Sequence, residues 1–112
     1  ALEALLMHDE TMVQEIIDTF LDDMPRQLQR LKEAIEKETL QEVQARAHAI
    51  KGAAGNVRGL TMSAIALEIE QAAKDRKMTV IPGLMTELER QFAQLEKQMK
   101  SKSNNPHDRS KG

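Results

Sequence analysis

The chain contains no cysteine, no tryptophan and no tyrosine, and only two phenylalanines among its 112 residues. Without cysteine, disulfides, thiolate metal sites and cysteine nucleophiles are excluded, which fits a cytoplasmic compartment. Basic and acidic residues number 16 and 18, are interspersed, and leave a net charge of −2. With neither a basic block nor Trp or Tyr to stack on bases, nucleic-acid binding is not expected. No apolar run approaches the roughly 20 residues of a bilayer span. The N-terminus lacks the basic and then apolar pattern of a signal peptide, so we expect no membrane contact by this segment. The opening residues, "ALEALLMHDE", read as the edge of a domain within a longer chain.

What is present is helical periodicity, with no strand-like alternation. Met12, Val13, Ile16, Ile17, Phe20, Leu21 and Met24 form a first apolar stripe behind a candidate N-cap at Asp9. Pro25 either kinks this helix or opens a second one, and Leu28, Leu31, Ala34 and Ile35 carry the stripe on to about Lys37. "TLQE" at Thr39 is a capping-box pattern ahead of Leu40, Val43, Ala47, Ile50, Ala54 and Val57. Gly59 reads as a helix stop. Thr61 reads as the cap of a helix bearing Met62, Ile65, Ala66, Ile69, Ala72 and Ala73. Pro82 stands near the start of a last helix lined by Leu84, Leu88, Phe92, Leu95 and Met99. Four or five amphipathic helices with short links predict an all-α, antiparallel bundle with an additional or kinked N-terminal helix. The expected domain spans residues 1–100. The polar stretch "SKSNNPHDRSKG", residues 101–112, is expected to be a disordered tail.

One segment breaks its own rule. "ARAHAIKGAAGNVRG", Ala45 to Gly59, is helical by its neighbours yet places Gly52 and Gly55 in a helix interior. Each costs about 1 kcal/mol relative to alanine there. At about 100° per residue the apolar set clusters in one direction, and His48 falls on the far side. Gly52, Gly55 and Ala45 surround His48 at one-turn spacings, and Lys51 stands three residues on, a helical neighbour. The glycines would clear the surface so that another molecule can approach the imidazole, and the lysine would place positive charge beside an anion carried there. A metal site fits poorly, because His8 and His107 lie in terminal segments and no carboxylate stands four residues from His48. A Ser/His/Asp triad lacks its sharp-turn serine. Exposed imidazole, nearby cation and cleared surface point to a phosphoryl group on nitrogen. The competing reading is an ordinary surface histidine with glycines used for packing.

"AHAIKGAAGNV" closely resembles the signature of histidine-containing phosphotransfer (HPt) domains, H-x-[aliphatic]-K-G-[small]-[small]. His48, Ile50, Lys51, Gly52, Ala53 and Ala54 occupy every fixed position, and the resemblance extends over about residues 9–100. The version with small residues after the glycine is similar to the modules of hybrid sensor kinases. The resemblance implies an up-and-down four-helix bundle with His48 exposed near the middle of a helix. It implies that His48 accepts a phosphoryl group from the aspartate of one receiver domain and passes it to another. Lys51 would offset phosphate charge, Gly52 would leave room, and Glu70 would hydrogen-bond the ring where many relatives carry Gln or another polar residue. Ser63, Leu67, Glu70 and Lys74 share a stripe beside the inward face, which lets Glu70 reach His48. Relatives usually carry Gly ten residues after the His; here Arg58 stands there, followed by Gly59, which adds a cation to the docking rim.

Such a carrier needs no ATP site, and no Gly-rich nucleotide loop is present. The expectation is a phosphoryl carrier and not an enzyme, although its parent chain could be a hybrid histidine kinase anchored in a membrane with this domain on the cytoplasmic side. No cofactor or metal is expected on the domain, and the divalent cation of the reaction is expected on the receiver. Response-regulator receiver domains are the expected partners, docking on Ala45, Gly52, Gly55 and Leu67 with Arg46, Arg58 and Lys74 at the rim, and the isolated domain is expected to be monomeric. The rival reading is a helical adaptor that binds receivers or other helices without carrying phosphate.

Overall fold

The computed structural model describes residues 10–111. Four α-helices follow one another: α1 (Glu10–Glu36), α2 (Leu40–Asn56), α3 (Leu60–Lys74) and α4 (Ile81–Lys111), with a single 3-10 turn at Met78–Val80 ahead of α4. The described residues contain no strand. Links of three residues join α1 to α2 and α2 to α3, too short for anything but antiparallel neighbours. The all-α bundle expected from periodicity is therefore the one observed.

The choice left open at Pro25 resolves in favour of one helix, since α1 runs unbroken through it. A helix-interior proline costs about 3 kcal/mol. The same helix buries Met24, Leu28, Leu31, Ala34 and Ile35, and each fully buried large apolar side chain returns about 1.5–3 kcal/mol. Pro25 itself lies on the exposed face, where water can serve the carbonyl that its ring leaves unpaired. No additional N-terminal helix accompanies α1 among the described residues, and the candidate cap Asp9 lies outside them.

The core of α3 and most of that of α2 lies at the predicted positions, whereas in α4 Ile81 and Met85, outside the expected stripe, are buried and Leu84, Leu95 and Met99 only partly so. Val43, Ala47, Ile50 and Ala54 of α2 face Met62, Ile65, Ala66 and Ile69 of α3, and Ile81, Met85 and Leu88 of α4 close the other side. The two phenylalanines meet, with Phe20 and Phe92 ring centroids 5.9 Å apart and planes tilted by 59°, within the range that aromatic pairs favour. The first turns of α1 depart from expectation. Met12, Val13 and Ile16 are exposed. Helical spacing aligns a stripe but does not say how far a neighbouring helix extends to cover it. Surface charges pair mostly along single helices, with Lys32 and Glu89 meeting across α1 and α4 at 3.7 Å. The Gln27 amide, and then Arg26, hold the Asp23 carboxyl below the usual carboxylate range; such exposed contacts contribute little to stability.

Every link ends its helix in the same way. Glu38, Arg58 and Arg76 adopt left-handed backbone with φ of 55°, 63° and 59°. In each case that residue's N–H bonds the carbonyl three residues back, and the next N–H bonds the carbonyl five back: Arg58 to Gly55 and Gly59 to Ala54, for example. These are Schellman caps built without glycine. The expected roles of two residues change accordingly. Gly59 is not the left-handed stop, since its φ is −80° and it is the N-cap of α3, which starts at Leu60 and not behind a Thr61 cap. Gly59 is needed for space: a Cβ there would lie 2.7 Å from Leu95 Cδ2 and 3.3 Å from the Ala54 carbonyl oxygen. Thr39 does precede α2, but its hydroxyl makes no capping bond, and Glu42 pairs with Arg46 instead of closing a capping box. Exchanging the glycine across one bond should therefore have opposite effects. Arg58→Gly is expected to stabilise the fold by about 0.5–1 kcal/mol through relief of the left-handed strain. Gly59→Ala is expected to cost about 1–3 kcal/mol by overpacking against α4. Urea unfolding midpoints at constant slope would measure both.

The last helix continues to Lys111, across the polar stretch 101–111. Once a helix is nucleated, each further residue adds a hydrogen bond, so a helix can extend past its apolar stripe.

Candidate functional site

His48 stands in the middle of α2, on the side away from Val43, Ala47, Ile50 and Ala54. Its side chain is 65% exposed, as the helical wheel requires. One anchor reaches the ring. The Nδ1 atom lies 3.1 Å from Oε2 of Glu70 on α3, and Glu70 is the one charged residue buried among those described, at 9% exposure. The other carboxylate oxygen, Oε1, faces Lys51 Nζ at 3.3 Å. Off hydrogen-bond alignment, that oxygen is buried with the ammonium as its electrostatic partner. Glu70 thus sits beneath the surface and holds both His48 and Lys51, which lie one turn apart on α2.

This arrangement has a chemical consequence. A carboxylate only accepts hydrogen bonds, so the Nδ1 facing it is the donor. In the neutral ring the Nε2 atom then presents a lone pair to solvent.

Gly52 lies one turn beyond His48 on the exposed face. A Cβ placed on Gly52 would meet nothing within 4 Å, and one on Gly55 would meet only Ser63 Oγ at 3.9 Å. Packing inside this chain therefore does not account for either glycine, which removes the competing explanation for them. Ala45 and Lys74 are exposed, Leu67 is 39% exposed, and Arg58 is exposed at the α2–α3 link. Arg46 is not brought to His48. It pairs with Glu42 and lines the α1 side of α2 near Arg30, Glu33 and Lys37.

Two features escaped the sequence reading. Ser63 Oγ donates a hydrogen bond to the Lys51 carbonyl oxygen at 3.0 Å; serine at helical spacing carries no signal for that. The exposed first turns of α1 also form an open groove of about 390 Å³ with the end of α2, walled by Met12, Ile16, Phe20, Ala53 and Val57. Elsewhere, no three His, Asp or Glu side chains gather into a potential metal site among the described residues. No described helix is long and apolar enough to cross a membrane.

Known proteins place this geometry. Residues 15–98 match the family model of the Hpt domain. The structure is similar to the crystal structure of histidine-containing phosphotransfer protein B (HptB) from Pseudomonas aeruginosa PAO1, with a TM-score of 0.81, 27% sequence identity, and coverage of 89% of this chain and 85% of that one. No curated protein matches the chain. A histidine raised on one helix of a four-helix bundle, a family match over most of the chain and a phosphotransfer protein of the same fold converge: the chain belongs to the Hpt family and is a histidine phosphotransfer carrier of two-component phosphorelays.

Proposed function

We propose that His48 is the phosphoacceptor and that Nε2 is the atom that bonds phosphorus. The observation that carries this reading is the buried Glu70 carboxylate at Nδ1, which in the neutral ring favours the proton there and a free lone pair on the outward Nε2. The Nε2 lone pair attacks the phosphorus of a receiver's aspartyl phosphate in line with the departing oxygen. An N–P bond forms, the P–O bond breaks, and the aspartate leaves with the electron pair. The Nδ1 proton stays in place, its positive charge balanced by Glu70. Return of the group to a second receiver reverses each step. Lys51 sits where it can meet the phosphoryl oxygens, and the bare backbone at Gly52 admits the receiver's acidic pocket.

The chain supplies a positioned nucleophile. The receiver, with the divalent cation we assign to it, supplies the remaining charge stabilisation. Docking centres on Ala45, Gly52 and Gly55, with Leu67 on the α3 side and the Met12–Ile16 groove on the α1 side. Arg58 and Lys74 stand at the edge. We assign the domain to the cytoplasm as a monomeric relay module.

The test is a relay in two steps. A labelled phosphoreceiver is mixed with the protein, the protein is isolated, and a second receiver is added. The expected label on the protein is acid-labile and base-stable, as a phosphoramidate should be, and it moves to the second receiver. Label that survives acid, or that cannot be chased, would sink the reading.

A further inference from the structure

We infer that Ser63 is a positioning residue for the phosphotransfer site: its hydroxyl, bonded to the Lys51 carbonyl, locks the rotation of α2 against α3 so that the His48 ring meets Glu70. The inference rests on His48 as phosphoacceptor and concerns what holds that ring in register.

The argument starts from how little holds His48. Its ring is 65% exposed and has one polar contact, the Glu70 carboxylate. A ring with one contact keeps its orientation only if the helix carrying it cannot roll. Apart from Glu70, which meets both His48 and Lys51, the α2–α3 contact is largely apolar, made by Ala47, Ile50 and Ala54 with Met62, Ile65 and Ile69. Apolar packing is non-directional and resists separation better than rotation. Ser63 adds a further directional contact, at a separate position on α3.

The bond falls at an informative place. The Lys51 carbonyl belongs to the helix ladder, and a carbonyl oxygen has a second lone pair to give. Ser63 takes it at 3.0 Å. Ser63 and Glu70 are seven residues apart on α3, two turns along one face. Their targets on α2, Lys51 and His48, are one turn apart. Ser63 adds a tie two turns along α3 from the pair of contacts that Glu70 makes, so that α2 is held against rolling at two heights and more firmly than by Glu70 alone. Lys51 is consequently held at both ends, its carbonyl by Ser63 and its ammonium by Glu70. Gly55 offers only bare backbone beside the hydroxyl, since even an added Cβ would stand 3.9 Å from Ser63 Oγ.

A readout independent of transfer is the imidazole tautomer in the unphosphorylated protein, measured by nitrogen-15 NMR, alongside the rate of phosphoryl uptake from a labelled receiver. In the wild type the proton is expected on Nδ1. Ser63→Ala is expected to move the ring toward a mixture of tautomers and to slow uptake by roughly three- to ten-fold, the range that one hydrogen bond spans, with helix content unchanged. Ser63→Thr restores the hydroxyl and is expected to restore both, whereas Ser63→Val, of similar shape without it, is not. A wild-type tautomer and rate in Ser63→Ala, or equal behaviour of the Thr and Val variants, would overturn the inference while leaving His48 as acceptor. Loss of the acceptor assignment is seen separately, as label that persists when His48 is replaced.

Discussion

His48→Gln is expected to stop phosphoryl uptake, by on the order of a thousand-fold or more, the scale on which removal of a nucleophile acts. The substitution is chosen to change chemistry and little else. Glutamine is close in size to histidine, and its amide can donate to the Glu70 carboxylate in place of Nδ1–H. Glu70 is thereby kept from standing buried and unpaired, which would itself cost stability. Because the native side chain is 65% exposed, the unfolding free energy should change by no more than about 0.5 kcal/mol. The check is label from a phosphoreceiver on the variant, with circular dichroism and a urea titration on the same sample. Persistent label would place the acceptor at another residue, and the other histidines are His8 and His107.

Gly52 should give the opposite pairing of effects, a more stable protein that transfers worse. An alanine here meets no neighbour within 4 Å, and alanine in a helix interior is favoured over glycine by about 1 kcal/mol. Gly52→Ala is therefore expected to stabilise α2 by about 0.5–1 kcal/mol. Gly52→Leu should also fold, since its side chain projects into solvent. Function should fall with side-chain size, because the proposed docking puts the partner in the space above Gly52. Misplacement by about 1 Å can cost a hundred-fold in rate, so the leucine variant is expected to lose on the order of 10- to 100-fold in transfer from a receiver, and the alanine variant less. Transfer rates for the two variants, set beside their unfolding midpoints, make the check. A leucine variant with wild-type transfer would show that no partner approaches there.

The two glycines also show what the sequence can and cannot convey. A helix weakened twice beside one histidine is legible, because periodicity assigns the helix and propensity marks the defect. The direction of His48 follows from its angular position alone. Glu70 is legible by its stripe on α3 and by the family resemblance. Its burial is not, since spacing gives a direction and not a depth. Gly59 misleads for a physical reason. Glycine after a helix usually signals left-handed backbone, yet here Arg58 takes that conformation and Gly59 makes room for Leu95. Met12, Val13 and Ile16 mislead too, because one helix's pattern says nothing of where its neighbours end. Ser63 is legible only as a member of the Glu70 stripe, and its bond to Lys51 is not, since one hydroxyl donating to a carbonyl across a helix pair has no pattern to read.

The carboxylate beneath the ring carries a practical consequence. Signalling proteins are often held in an "on" form by writing aspartate or glutamate where the phosphate would go. At position 48 that device would set a second acid beside Glu70, with one lysine between them. The pair would repel, or share a proton and forfeit the charge being imitated. An acidic stand-in at this histidine should therefore report electrostatic conflict in the resting protein, and a non-hydrolysable phosphoryl analogue on nitrogen is the mimic this bundle can accept.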